Sequence, residues 1–183
     1  MRKAVFLDKD GIINELIERS DGRFTSPWTL EEFKSTINPY IFDHVKTLKE
    51  LNYMVFVVTN QPGVLDGEMY MTELDDICGY LEEEVGVNHV LYALKKDSDL
   101  YKPNNGMIEA LIRTYKIYRH NSFMIGDRWK DIVAGNKSDL ITMYVNKEKY
   151  DTPELTDVGP NHSFRTLDSA IEMIKVYTKE RRL

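Results

Sequence analysis

The chain alternates short apolar runs with amphipathic stretches. Ala4-Val5-Phe6-Leu7 is an unbroken apolar run, which suits a strand covered on both faces of a parallel sheet. A second β-rich run, Met54-Val55-Phe56-Val57-Val58, follows a stretch in which Ile41, Val45, Leu48 and Leu51 recur at helical spacing. Thr72 with Asp75 resembles a capping box, and Leu74, Ile77, Cys78, Leu81 and Val85 continue it as a helical stripe. Cys78 falls on that stripe, has no basic neighbour in sequence, and reads as core packing. Val90-Leu91-Tyr92-Ala93-Leu94, Phe123-Met124-Ile125 and Ile141-Thr142-Met143-Tyr144-Val145 predict three more strands. A helix from about Gly106 carries Ile108, Leu111, Ile112 and Tyr115, and a last one carries Leu167, Ala170, Ile171 and Ile174. The alternation predicts an α/β fold, a Rossmann-like doubly wound parallel sheet with helices on both faces.

Two segments break this rhythm. Glu15 to Pro39 holds Arg19, Arg23, Phe24 and Trp28 without sustained periodicity, and Asp151 to Asn161 is rich in Pro, Asp and Thr. Both read as loops. No internal repeat or low-complexity linker interrupts the chain, so residues 1–183 read as a single domain.

Composition narrows the function. With 24 Lys and Arg against 30 Asp and Glu the net charge is -6, and no basic block occurs before Lys179-Glu180-Arg181-Arg182, so nucleic acid is not an expected partner. Cys78 is the only cysteine and the four histidines are scattered, which removes an intrachain disulfide and a Cys/His zinc cluster. The histidines (His44, His89, His120, His162) read as surface or core residues. No apolar stretch is long enough for a membrane span or a signal peptide, so the expectation is a soluble, cytoplasmic protein without a membrane partner.

Polar residues recur just past the carboxyl ends of the strands, the edge at which open α/β sheets bind ligands. The first strand runs into Asp8-Lys9-Asp10-Gly11-Ile12-Ile13-Asn14, the second into Thr59-Asn60-Gln61-Pro62-Gly63, and the fourth into Gly126-Asp127-Arg128-Trp129-Lys130-Asp131, while Lys102-Pro103 precedes a helix. Each piece alone also fits a solvated turn, a helix cap or an exposed lysine. Together they suit phosphoryl transfer from a monoester. A carboxylate can attack phosphorus, a second acid can protonate the leaving alcohol, and hydroxyl, backbone and lysine groups can hold phosphoryl charge. Carboxylates about 4 Å apart repel by roughly 4 kcal/mol per pair at an effective dielectric of 20, which a divalent cation removes. Oxygen-only ligands point to Mg²⁺.

In this order, Asp-x-Asp-Gly, Thr-Asn-Gln, Lys-Pro and Gly-Asp-x-x-x-Asp resemble the four motifs of haloacid dehalogenase superfamily phosphatases, over a span from the first strand to about Val145. Asp8 to Asn14 together with Thr59 to Val64 is similar to the histidinol-phosphatase and heptose-bisphosphate-phosphatase group. The resemblance implies Asp8 as the nucleophile that becomes an aspartyl-phosphate and touches the metal, and Asp10 as general acid/base with its carbonyl on the metal. It implies Thr59 and Asn60 as phosphoryl donors, Lys102 as the charge-offsetting lysine, Asp127 as a metal ligand, and Asp131 as the second acid of the metal site, orienting a metal-bound water or Lys102 in preference to binding the metal directly. Tyr92 to Tyr101 lacks the Cys/His zinc loop of many group members, so zinc is not expected. Tyr101 stands where the group often has arginine.

The motif spacing leaves no room for a large cap, which makes Glu15 to Pro39 the expected substrate-facing flap, with Arg19, Arg23 and Trp28, and beyond it Tyr101, as candidate contacts. The expected enzyme is a Mg²⁺-dependent phosphatase of a small phosphorylated metabolite, of the sugar phosphate or histidinol phosphate kind, acting as a monomer or small homo-oligomer. A nucleic-acid 3′-end phosphatase and a non-enzymatic phosphoacceptor module are the alternatives. The net charge speaks against the first, and Asp10 against the second, because a phosphoacceptor has little use for a leaving-group acid.

Overall fold

In the computed structural model, residues 2–146 and 159–180 are described, and most of the expected loop from Asp151 to Asn161 lies outside them. In chain order the elements are β1 (Lys3–Leu7), β2 (Ile17–Glu18), β3 (Phe24–Thr25), α1 (Leu30–Thr36), α2 (Ile41–Glu50) and β4 (Tyr53–Asn60). They continue with α3 (Met71–Tyr80), β5 (His89–Ala93), α4 (Gly106–Tyr115), β6 (Phe123–Gly126), α5 (Trp129–Lys137), β7 (Ile141–Val145), β8 (His162–Phe164) and α6 (Leu167–Glu180).

Six strands form one sheet in the order β5-β4-β1-β6-β7-β8, with every pairing parallel. The two-residue side-chain period of a strand sorts the core into two layers. Val5, Leu7, Val55, Val57, Ile125 and Met143 face the layer that holds Ile41, Val45 and Leu48 of α2, Leu74 and Ile77 of α3, and Ile171 and Ile174 of α6. Ala4, Phe6, Phe56, Val58 and Met124 face the other, with Met107, Ile108, Leu111 and Ile112 of α4. Both faces of the central strands are therefore covered, which is why they read as unbroken apolar runs. The chain places β4 and β5 to one side of β1, then returns to lay β6, β7 and β8 on the other. That reversal opens a crevice beyond the carboxyl ends of β1, β4 and β6.

The segment from Glu15 to Pro39 is not simply a loop. It folds into the β2–β3 hairpin followed by α1. Arg19 secures the pair. Its guanidinium meets both carboxylate oxygens of Glu32 at 2.6 and 2.9 Å and lies 3.5 Å from the centre of the Trp28 ring. The capping pattern is also realised here and not at Thr72. Thr29 caps α1 by accepting from the Glu32 amide at 3.1 Å. In α3 the cap residue is Tyr70, without a side-chain hydrogen bond, and Thr72 lies inside the first turn. Beside it, Glu73 accepts from the Leu30 amide at 2.7 Å and ties α1 to α3. The stripe of α3 continues through one π-helical turn, Leu81–Val85, that keeps Leu81 and Val85 buried. Among the described residues no large cap is inserted, and no helix is long and apolar enough to cross a membrane.

Phe56 packs against Phe6 at 5.4 Å and Tyr115 at 4.8 Å between ring centres, with none of its surface exposed. Phe56→Ala should therefore cost about 3–5 kcal/mol of folding stability. Urea unfolding checks this; a loss below about 1 kcal/mol would mean the layer collapses to fill the gap.

Candidate active site

Asp8 follows β1, Thr59 lies at the end of β4, and Asp127 follows β6, so three adjacent parallel strands deliver them to one crevice. Lys102 reaches in from the loop between β5 and α4, and Asp131 from the first turn of α5. The Lys102 ammonium spends its three donors on Asp8 Oδ1 at 2.8 Å, Asp131 Oδ1 at 2.6 Å and the Val58 carbonyl at 2.7 Å. Burial alone would lower its pKa, but the charges of Asp131 and Asp8 outweigh that and hold it well above the usual lysine range. Asn60 places the lysine. Its side-chain amide donates to the Lys102 carbonyl at 2.9 Å and accepts from the Lys102 amide at 3.0 Å. The amide expected to contact phosphate is thus committed to the lysine loop.

Asp131 uses its other oxygen to accept from the Arg128 amide at 3.0 Å, closing the N-terminus of α5. Gly126 permits this approach, because a Cβ there would lie 2.3 Å from Asp131 Cβ. Asp127 differs from every other acid in the site. It is fully buried and neither carboxylate oxygen has a hydrogen-bond partner among the described residues. Arg128 Nε stands 3.6 Å away, too far for a hydrogen bond. Gly11, at φ +89°, lies so close that a Cβ would sit 2.1 Å from Asp127 Oδ2.

One oxygen from each of Asp8, Asp127 and Asp131 falls within 4.8 Å of the others. Three carboxylates and the Lys102 ammonium leave two negative charges, only partly offset by Arg128. Asp8 is accordingly pushed up to about 7, first by burial and then by Asp131, with Lys102 acting against both. Asp127 is pushed up to about 8 by burial, then by Asp8 and Asp131. A buried carboxylate with two unfilled oxygens beside two other acids fits a hard divalent cation.

Asp10 is the opposite case. Oδ1 accepts from Lys9 at 2.5 Å and Asn14 at 3.0 Å, and Oδ2 from Ser26 at 2.9 Å and Gln61 at 2.7 Å. Burial would raise its pKa, but Lys9 and the surrounding donors outweigh that and hold it below the ordinary carboxylate range. Lys9, Ser26 and Gln61 were not singled out from the sequence. Gln61 and Lys9 sit inside the recognisable motifs, whereas Ser26 carries no local signal at all.

The crevice encloses about 370 Å³. Asp8, Asp10, Thr59, Lys102 and Asp131 line its floor, and Leu16, Phe24, Pro62, Tyr101, Trp129, Arg128 and Lys130 its walls. Arg19, Arg23 and Trp28 do not line it. Arg19 is occupied by Glu32 and Trp28. Arg23 and Trp28 border a neighbouring cavity of about 450 Å³, where Arg23 pairs with Asp21 and Glu68. The hairpin contributes Leu16, Phe24 and Ser26 in their place, residues whose short-range pattern gives no sign of it. Cys78 packs against the core, and burial pushes its thiol up to about 12, far from a nucleophile.

Fold and site define a hydrolase of the haloacid dehalogenase class, and the family model described as HAD-hydrolase-like matches residues 100–170. Among curated relatives, the D-glycero-beta-D-manno-heptose-1,7-bisphosphate 7-phosphatase of Helicobacter pylori strain 26695 is 30% identical over 142 residues, 73% of this chain and 77% of the relative. The enzyme of the same name from Haemophilus influenzae is 31% identical over 150 residues, 74% of this chain and 76% of the relative. The solved structure of D,D-heptose 1,7-bisphosphate phosphatase from B. bronchiseptica, complexed with magnesium and phosphate, superposes with a TM-score of 0.76 at 18% identity, covering 96% of this chain and 99% of that one. The chain belongs to the haloacid dehalogenase-like phosphatases and is a phosphoric monoester hydrolase.

The raised carboxylates set a pH dependence. In the unfolded chain Asp8 and Asp127 release their protons near 3.8, whereas the folded chain keeps them to about 7 and 8. Over that window the folded state binds more protons, so metal-free stability falls as pH rises from about 4 to 8. Asp127→Asn removes the least satisfied charge. It should flatten that fall and raise metal-free stability at pH 8 by on the order of 1–3 kcal/mol. Urea midpoints at pH 5 and pH 8 in EDTA measure both, and an unaltered slope in the variant would place the effect elsewhere.

Proposed function

We propose that this chain is a Mg²⁺-dependent phosphatase of a phosphorylated sugar, working through an aspartyl-phosphate on Asp8. The observation that carries the reading is the contrast among the acids beyond the strand ends: Lys102 holds Asp8 and Asp131, while the buried Asp127 oxygens have no partner among the described residues. Asp8, Asp127 and the Asp10 carbonyl would hold Mg²⁺, with Asp131 serving mainly to fix Lys102. When bound, the ion offsets the carboxylates and the approaching phosphate dianion.

Both donors to Asp8, the Lys9 amide at 2.8 Å and Lys102, land on Oδ1, which leaves Oδ2 to attack phosphorus. As the O–P bond to the carboxylate forms, the ester P–O bond breaks and the leaving oxygen takes a proton from Asp10. In the second half Asp10, again ionised, takes a proton from water as that water attacks phosphorus. Phosphate leaves and Asp8 is restored. The four hydrogen bonds around Asp10 favour its ionised form and so its role as base. To act as acid it exchanges one of them for a proton as the phosphate dianion approaches. Thr59 donates to a phosphoryl oxygen, and Lys102, its donors already spent, acts through charge and by aligning Asp8.

The relatives named as heptose-1,7-bisphosphate 7-phosphatases support a sugar bisphosphate as substrate. Arg128 and Lys130 on the wall would face its second phosphate, and Tyr101 and Trp129 the sugar. The β2–β3 hairpin and α1 form the substrate-facing flap through Leu16, Phe24 and Ser26, on what we take to be a single catalytic domain. The proposal carries with it a cytoplasmic enzyme, a monomer or small homo-oligomer, without a nucleic-acid partner.

A screen of sugar phosphates tests the reading. Activity should vanish in EDTA and return with Mg²⁺, and Asp8→Asn should lower kcat by about a thousandfold or more while the fold survives. Full turnover after chelation, or by the Asp8 variant, would refute it.

A separate comparison isolates Asp10. Asp10→Asn should cut kcat on a sugar phosphate at least about tenfold more than on p-nitrophenyl phosphate, whose leaving group needs no proton. Equal losses would make Asp10 a metal-positioning residue only.

A further inference from the structure

Gln61 lies one residue past β4, only 2% exposed, and its side chain touches both halves of the chemistry proposed above. Its Nε2 stands 2.7 Å from Asp10 Oδ2 and 2.9 Å from Thr59 Oγ1. An ionised carboxylate only accepts, so the end of the amide that faces Asp10 is the NH₂. The same nitrogen faces Thr59, and its second hydrogen goes to the hydroxyl oxygen. The hydroxyl's own hydrogen must then point elsewhere. Among the described residues no protein acceptor receives it, and Thr59 lines the crevice.

We infer that Gln61 is a positioning residue that fixes the polarity of the Thr59 hydroxyl, making it a donor toward the transferred phosphoryl group, while the same NH₂ holds Asp10 in place. The inference rests on the roles assigned to Thr59 and Asp10 under the proposed function. A hydroxyl rotates freely about its C–O bond and offers either a hydrogen or a lone pair. With Gln61 donating to it, one of the oxygen's two lone pairs is occupied and the hydrogen is excluded from that direction. The hydrogen is thereby free to turn toward phosphate oxygen, which carries only lone pairs. Without Gln61 the hydroxyl spends part of its time presenting oxygen to oxygen, and its reorientation has to accompany catalysis. One glutamine thereby prepares the group that holds the phosphoryl and the group that serves the leaving oxygen.

Double-variant cycles separate the two arms. kcat and KM are measured for Gln61→Leu, Thr59→Val, Asp10→Asn and the pairs Gln61→Leu with each of the other two, on p-nitrophenyl phosphate and on a sugar phosphate. Gln61→Met, of matching volume, is the second variant, and melting curves verify folding. Gln61→Leu should lower kcat on the aryl phosphate about tenfold to a hundredfold, the usual effect of losing a hydrogen bond to a charged group. In the Thr59→Val background the same change should cost several-fold less, because the hydroxyl it orients is gone and only its contact with Asp10 is left to lose. On the sugar phosphate a further loss should be present that disappears in the Asp10→Asn background. If Thr59→Val is impaired and the Gln61 penalty persists undiminished in both backgrounds, the positioning role is overturned and the proposed function stands. If Thr59→Val itself matches wild type on the aryl phosphate, the assignment of Thr59 fails and the positioning role with it.

Discussion

The Lys102 ammonium is the interaction on which the site depends. Its three donors reach the nucleophile candidate, the acid at the start of α5 and the Val58 carbonyl of β4, so it joins a strand end, a helix start and the central loop at one buried point. Such a cation is costly to bury alone, and the acids are costly to bury without it. The geometry makes the two costs offset each other. It also explains Asn60, which spends its whole amide on the backbone of Lys102. The balance is left incomplete on one side, at Asp127, and that deficit marks where the chain needs something it does not itself supply.

The sheet supplies the stage for this arrangement. Because β1 lies between β4 and β6 and all three run in parallel, one residue past each strand is enough to bring groups distant in sequence into contact. Buried strands with apolar side chains on both faces hold those exits rigidly. The lining of the mouth is different in kind. Leu16, Phe24 and Ser26 come from beside and within two-residue strands held by an arginine fork and an aromatic stack, while Tyr101, Arg128, Trp129 and Lys130 come from the lysine loop and the start of α5. One wall therefore rests on a much smaller scaffold than the reacting groups do.

What could be read from the sequence follows the same division. The strands Ala4 to Leu7 and Met54 to Val58 were legible because burial on both faces leaves an uninterrupted apolar run. The acids were legible because they fall immediately after such runs. The hairpin and α1 were not, since two residues cannot establish a period and seven scarcely can. The capping pattern went to Thr72 although Thr29-Leu30-Glu31-Glu32 carries the same spacing, because the apolar stripe after Thr72 was longer. Arg19 and Trp28 suggested ligand contacts, but an arginine and a tryptophan suit each other as well as any substrate, and only their 3.5 Å stack decides between the two. Ser26 and Gln61 acquire their importance from closeness to Asp10; Gln61 at least falls within the Thr-Asn-Gln motif, whereas Ser26 leaves no local trace.

Gly11 and Asp127 extend this from folding to mutation. The space that a side chain at position 11 would need is already filled by the Asp127 carboxylate, 2.1 Å from where a methyl carbon would stand. Neither residue can be exchanged without regard to the other: enlarging the first displaces the second, and shrinking the second leaves an acid-lined hole beside a glycine already bent into a left-handed turn. An isosteric change such as Asp127→Asn leaves Gly11 undisturbed, whereas any side chain at position 11 forces the carboxylate to move. The loop after the first strand and the acid after the fourth sequence-predicted one are therefore sterically coupled, although most of the chain separates them.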